Sequence, residues 1–349
     1  MRSSYSKEDV IFLLKDITGL VEPQPASERE RLIQSGKHYC EMLPLEYVPS
    51  ELYMKTYQEA LRHFAGPVAA AVGRLAEQIW KERGESVVLV SLARAGTPIG
   101  ILLQHYIRKQ YRISVPHYSI SIIRGRGIDH NAMKYLLAHH RPKQLLFVDG
   151  WIGKGAILGE LKREIRAYEG VSPELAVVAD PANMTRLCGT REDLLIPSSC
   201  LNSTVSGLVS RTFLRSDLIG AEDFHGAVYY GELKDADLSG DFIRTIEAEF
   251  GKGTFSGEPK AEGTGLEEVK EIAARFRIPD INLLKPGIGE ATRVLLRRVP
   301  WKLLIRKELR EDPALAHLIW LAKEKEVPVE DYPLRHYKAC GLIQRLADT

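Results

Sequence analysis

Between residues 87 and 178 the chain alternates short apolar runs with stretches whose apolar positions recur at helical spacing. The runs at 87–90, 145–148 and 175–178 are continuously apolar, and 115–123 also reads as a strand. Unbroken apolar runs of this length predict strands buried on both faces. The intervening stretches at 98–108, 131–139 and 156–168 read as helices. Strand and helix in alternation predict an α/β domain built on a parallel sheet covered on both sides. Ahead of it, 51–80 shows helical spacing that the Gly66-Pro67 step is expected to break. In such a sheet, ligands bind beyond the carboxyl ends of the strands, so the loops after those runs are where chemistry is expected.

A second alternation follows. Residues 281–285 and 302–305 and the short run at 327–329 read as strands, with helices opening near Pro286 and Pro313 and a further apolar stretch at 339–342. These predict a small three-layer α/β/α module. Between the two alternations, residues 251–265 hold five glycines and a proline with Phe255 as the one large apolar side chain, the composition of a flexible linker. The expected organisation is therefore a domain over 1–250 with a helical N-terminal region, a linker over 251–265, and a second domain over 266–349.

Composition adds little to this and excludes more. With 349 residues, 44% hydrophobic and 27% charged, the chain has ordinary globular proportions and room for two domains. It has no apolar run of the ~18 residues that a membrane helix requires, and acids stand where a secretion signal would be apolar. A cytoplasmic protein without membrane contact is expected. The four cysteines, Cys40, Cys188, Cys200 and Cys340, are too scattered for a disulfide framework or a cysteine-rich metal site. The net charge of +2 hides a local excess: 285–310 carries eight basic residues against two acids. Such a face suits a polyanionic partner.

Three strand ends carry loops suited to anions. After the run at 145–148 come Asp149, Gly150, Trp151, Gly153, Lys154, Gly155 and Ala156. A carboxylate at the strand end, a Gly-Lys-Gly turn and a helix start form a cradle for a sugar phosphate. After the first run, Ala93, Arg94, Ala95 and Gly96 offer a small-residue turn with one guanidinium. Arg124 and Arg126 stand in a Gly-rich segment that can close on phosphate oxygens. The polar segment 196–207, with Asn202, Ser203 and Thr204, suits a heterocyclic acceptor, together with Asp180, Asp223 and His225. Possession of Cys200 or Cys40, paired with His225, leaves a thiol hydrolase as a further reading, although no local activating group stands out beside either thiol.

Residues 145–157 resemble the ribose-phosphate loop of the type I phosphoribosyltransferases, with Gly150 where that family has a second acid and Lys154-Gly155-Ala156-Ile157 where it has a hydroxyl-rich phosphate cup. Leu43-Pro44-Leu45-Glu46-Tyr47 and the stretches 90–98, 116–124, 148–156, 202–211 and 223–230 resemble the StiP-type phosphoribosyltransferase-like proteins of tellurium-resistance and stress gene clusters. Members of that family are sometimes labelled cysteine proteases. Gly287, Glu290, Thr292, Arg293 and the Ala339-Cys340-Gly341-Leu342 stretch resemble the pelota RNA-binding domain, with Gly289 in place of an Asn.

The resemblances imply a type I phosphoribosyltransferase-like sheet domain followed by a pelota-like module. They imply transfer of phosphoribosyl from phosphoribosyl pyrophosphate, with Mg²⁺ carried by the pyrophosphate, to an unidentified base or metabolite. Asp149, Arg94, Arg124 and Arg126 would be catalytic. RNA would bind through Lys285, Gly287, Glu290, Arg293, Arg297 and Arg298 on an autonomous C-terminal module, and a homodimer is compatible with this reading. The alternative is a regulator that senses phosphoribosyl pyrophosphate or a nucleotide and binds RNA without turnover.

Overall fold

A computed structural model describes the chain except for Tyr47, residues 254–261 and residues 344–349. Most of the expected linker therefore lies outside the described residues.

The main sheet has six parallel strands in the order β1-β4-β3-β7-β8-β9. These are β1 (Ile11–Phe12), β3 (Val88–Leu92), β4 (His117–Ile120), β7 (Leu145–Trp151), β8 (Leu175–Ala179) and β9 (Cys188–Thr190). Three small strands and a partner complete this half: β2 (Lys15–Asp16) pairs with β10 (Gly226–Ala227), and β5 (Ile122–Ile123) with β6 (Gly127–Ile128) as an antiparallel ribbon. All five residues of β3 and of β8 are buried, as their uninterrupted apolar character requires.

Helices cover both faces. After α1 (Ala26–Gln34), the long α2 (Glu51–Arg83) lies on one side with α3 (Gly96–Tyr111) and α6 (Ser239–Glu247). The other side carries α4 (His130–His139) and α5 (Ala156–Glu164). The break expected at Gly66-Pro67 does not occur: Pro67 sits inside a continuous 33-residue helix. Pro67 removes one backbone hydrogen bond, but Val68, Val72, Leu75 and Ile79 are fully buried beyond it, and that burial holds the helix together.

The C-terminal module is a four-stranded sheet in the order β11-β14-β12-β13. Its strands are β11 (Leu284–Pro286), β12 (Pro300–Ile305), β13 (Val329–Asp331) and β14 (Ala339–Ile343). Alternation along β12 divides the core: Leu304 meets α7 (Gly265–Arg275), while Leu303 and Ile305 face α8 (Ile288–Arg297) and α9 (Pro313–Glu324). Ile288, Ala291 and Leu295 of α8 belong to the same apolar cluster as Leu195, Ile196, Cys200 and the α2 side chains. The two halves thus share one continuous core. No helix among the described residues is long and apolar enough to cross a membrane.

Candidate functional site

The loop expected to cradle a phosphate stands where the strand pattern placed it, after β7, with Gly155 in the left-handed region at φ +80°. Its lysine, however, is already engaged. The Lys154 ammonium donates to the carbonyls of Ile281 and Leu284, the latter at 3.0 Å, and the Tyr337 hydroxyl donates to the Gly153 carbonyl. Burial and the nearby Lys285 pull the Lys154 amine down to about 8. Asp149 accepts from the Gly150 N–H at 2.7 Å, and burial pushes its carboxyl up to about 7 despite Arg293. Only a crevice with room for about one water separates Trp151 and Gly153 from Gly287 and Glu290.

The facing helix start is closed in the same way. Both carboxylate oxygens of the buried Asp193 accept from the Ile288 N–H, at 2.9 and 3.1 Å, and one also accepts from the Lys338 N–H at 2.9 Å. Gly287 has φ +94°, and a Cβ there would stand 3.1 Å from Asp193; one on Gly289 would stand 3.1 Å from Ser199 Oγ. Arg293 donates to the Ser199 carbonyl at 3.1 Å and to Glu290 at 3.2 Å, and lies over the Trp151 ring. Burial would raise Glu290, but Arg293, Lys285 and Lys154 together hold it low. The expected RNA surface at Gly287, Glu290 and Arg293 therefore packs against the main domain, with the Ile288 N–H at the helix start taken by Asp193 and Arg293 by Ser199 and Trp151. Lys285 is also half-buried, Arg298 is exposed, and the Arg297 side chain lies outside the described ones.

Some of the other expected residues converge. Arg94 donates to Glu46 at 3.2 Å, to Asn202 Oδ1 at 2.9 Å and to the Val209 carbonyl at 3.1 Å, and Ser203 Oγ donates to Glu46 at 2.5 Å. Burial would raise Glu46, yet Arg94 and Ser203 hold its carboxyl low. Thr204 is buried beside them, and its carbonyl accepts from the Leu238 N–H. Ala93, Ala95 and Gly96 turn the chain into α3 so tightly that a Cβ on Gly96 would stand 2.4 Å from the Val148 carbonyl. Asp180, Asp223 and His225 do not join this group. Asp180 accepts from the Met184 and Thr185 N–H groups and pairs with Arg191. Asp223 pairs with Lys15 at 2.6 Å, and His225 shares a 2.8 Å hydrogen bond with Ser121.

That last contact also corrects the pairing of a thiol with His225. All four cysteines are buried, and none forms a disulfide. Among the described residues, Cys40 is the one whose sulfur meets an imidazole: Sγ lies 2.9 Å from His38 Nδ1. The Cys40 N–H also donates to Nδ1, at 3.3 Å, so this nitrogen is an acceptor and the neutral ring carries its proton on Nε2. The S–H can therefore donate to Nδ1. Burial pushes the thiol up to about 11 while Arg126 favours the thiolate. Burial and Arg126 lower the imidazole, and a main-chain hydrogen bond with Arg124 works the other way.

The turn between β5 and β6 lies over this pair. Arg126 donates to Glu41 at 2.9 Å, the Arg124 N–H donates to Tyr39 Oη at 3.0 Å, and the Arg124 guanidinium reaches Asn282 at 2.8 Å. An imidazole thus stands two residues from the thiol in sequence. The His38-Tyr39-Cys40 spacing is the signal that could have found it.

Residues 3–247 match the profile of the family described as tellurite-like stress resistance cysteine protease StiP. The chain belongs to the StiP family. Residues 263–345 match the PELOTA RNA-binding domain. The cysteine protease StiP of Acinetobacter baylyi is 38% identical, over 98% of this StiP-family chain and 94% of that protein. Among solved structures, a hypoxanthine-guanine phosphoribosyltransferase from Bacillus anthracis aligns at TM-score 0.27 and 16% identity, over 36% of this chain and 77% of that one. The enzyme from Leishmania tarentolae, in complex with GMP, aligns at TM-score 0.25 and 12% identity, over 35% and 68%. The family match and the curated relative overturn the expected phosphoribosyl transfer and the expected sensing of phosphoribosyl pyrophosphate: both name a cysteine protease. The sequence reading went astray because an anion-suited loop records which groups are present, not whether they are already bonded.

Proposed function

We propose that this StiP-family chain is a thiol-dependent peptide hydrolase with Cys40 as nucleophile and His38 as its base. The 2.9 Å contact between Cys40 Sγ and His38 Nδ1 carries the reading. The thiol proton passes to Nδ1, and Sγ attacks the carbonyl carbon of the substrate amide. The C–N bond then breaks as the imidazolium returns that proton to the departing amine, leaving a thioester. Water, deprotonated by His38, hydrolyses the thioester and restores the thiol. Access to Sγ requires the 124–126 turn to lift. The side chains hold it by exposed contacts worth about 1 kcal/mol or less each, so the main cost of lifting is the bond from the Gly125 N–H to the buried Glu160 carboxylate at 2.9 Å.

Hydrolysis of a quenched-fluorescent casein tests the assignment. Cys40→Ala and His38→Ala should each reduce kcat by about a thousandfold or more, and Cys200→Ala should leave it near wild type. Loss in Cys200→Ala with full activity in Cys40→Ala would refute it.

The PELOTA match supports an RNA partner for the C-terminal module. With the helix start covered, we place that contact on the outer face. There Lys302 lies 5.3 Å from the ring of Trp301 and 5.4 Å from that of Phe276, with Arg275 over Tyr332. Trp301 is 37% exposed and can stack on a base. Trp301→Ala should weaken binding of a single-stranded RNA about tenfold in a filter assay; unchanged affinity would remove this face from consideration.

A further inference from the structure

We propose that Arg211, with Arg94 and the ring of Tyr39, forms a subsite for an anionic group on the substrate, beside Cys40. The inference rests on the thiol-hydrolase reading for the word substrate, and on the arginine cluster for the anion.

Residues 209–214 run from one group to the other. The Val209 carbonyl accepts from Arg94, the Arg211 guanidinium lies 5.5 Å from the Tyr39 ring centroid, and the Leu214 N–H donates to the Cys40 carbonyl at 3.0 Å. The Leu214 carbonyl in turn lies 3.7 Å from Cys40 Sγ. Arg211 therefore sits next to the residue preceding the nucleophile. Across Tyr39 stands Arg124, whose N–H donates to the Tyr39 hydroxyl.

The charges here do not balance. Glu46 is committed to Arg94 and Ser203, and Glu41 to Arg126. Among the described residues Arg211 has no carboxylate partner and no hydrogen-bond acceptor; its contact is the Tyr39 face. Burial, together with Arg29 and Arg94, lowers its guanidinium to about 10, and Tyr39 and the more distant Glu46 offset only part of this. Stacking on one ring offsets only part of the cost of holding a half-buried guanidinium among like charges. An anion from outside would supply the missing countercharge, and the planar fork of Arg211 fits a carboxylate or phosphate through two parallel N–H···O bonds. The chemistry selected is thus an acidic or phosphorylated side chain flanking the cleaved bond.

Full-length protein is assayed on fluorogenic peptides matched in pairs, Glu against Gln and phosphoserine against Ser, at the positions on either side of the cleaved bond. The Glu and phosphoserine members should be favoured in kcat/KM by about ten- to a hundredfold, and the larger ratio identifies the source of the anion. Arg211→Gln should erase both preferences, and Arg211→Lys, which keeps the charge but not the fork, should retain a reduced one. A second readout needs no turnover: inorganic phosphate, against chloride at equal ionic strength, should raise Tm of wild type and of Cys40→Ala but not of Arg211→Gln. Equal kcat/KM within the wild-type pairs, or preferences surviving intact in Arg211→Gln, would overturn the subsite while leaving the Cys40 assignment standing. Full activity in Cys40→Ala with a phosphate shift that still depends on Arg211 would defeat the nucleophile assignment and leave the anion site. A phosphate shift retained in Arg211→Gln would overturn the anion site itself.

Discussion

Replacing Asp149 by Asn should stabilise the protein, increasingly as the pH rises above about 4. The carboxyl lies at the end of β7 under the C-terminal module, where it accepts from the Gly150 N–H. Burial lifts it from an ordinary 3.8 to about 7. The folded-state value lies above the unfolded one, so the folded protein holds this proton more tightly. The associated stability is complete below about pH 4 and is lost as the pH rises through 7. A shift of that size corresponds to about 4 kcal/mol. Asp149 is half-buried as a residue, and solvent screening brings the expectation to about 2–4 kcal/mol. Asn keeps the shape and an acceptor for the Gly150 N–H but has no charge to bury. Urea denaturation at pH 4.5 and pH 8 measures the difference directly. A gain of about 1 kcal/mol or less for the variant at pH 4.5, and a clearly larger one at pH 8, are expected. An Asn variant that is destabilised equally at both values would refute the reasoning, since the carboxylate would then be a net stabilising partner in the interface.

Asp193→Ala leaves the Ile288 and Lys338 N–H groups without their acceptor in a buried interface, and should cost about 3–5 kcal/mol in the same denaturation assay; a loss under 1 kcal/mol would mean that water replaces the carboxylate there. Gly287→Ala should cost about 1–2 kcal/mol, because φ +94° is strained for any side chain and its Cβ would press on Asp193 at 3.1 Å; unchanged Tm would contradict the geometry. Iodoacetamide labelling of Cys40 should be slow at pH 8 and accelerate toward pH 11, since burial disfavours the thiolate. Glu41→Gln should speed it about fivefold by freeing Arg126 and removing a charge that opposes the thiolate; slower labelling would place the cover elsewhere.

Much of the scaffold was legible in the residues. Unbroken apolar runs such as 145–148 become strands wherever both faces are covered, and the Gly-Lys-Gly turn after them becomes a helix start because Gly155 can take a positive φ that other residues resist. The contact between His38 and Cys40 spans two residues, so it is encoded locally, unlike any pairing with His225. His225 itself is held by Ser121, 104 positions away, and no local pattern records such a partner.

What the sequence by itself determined is therefore local: strand and helix placement, the glycine turns, and which charged groups stand at which strand end. Tertiary structure alone decided which of those groups remain available. Lys154 is engaged by carbonyls 127 and 130 residues away, Asp193 closes the α8 start from 95 residues away, and Arg94 finds Glu46 and Asn202. The physical reason is the same in each case. Backbone conformation is set by a residue and its near neighbours, whereas a buried hydrogen-bonding group is satisfied by whatever the fold brings to it.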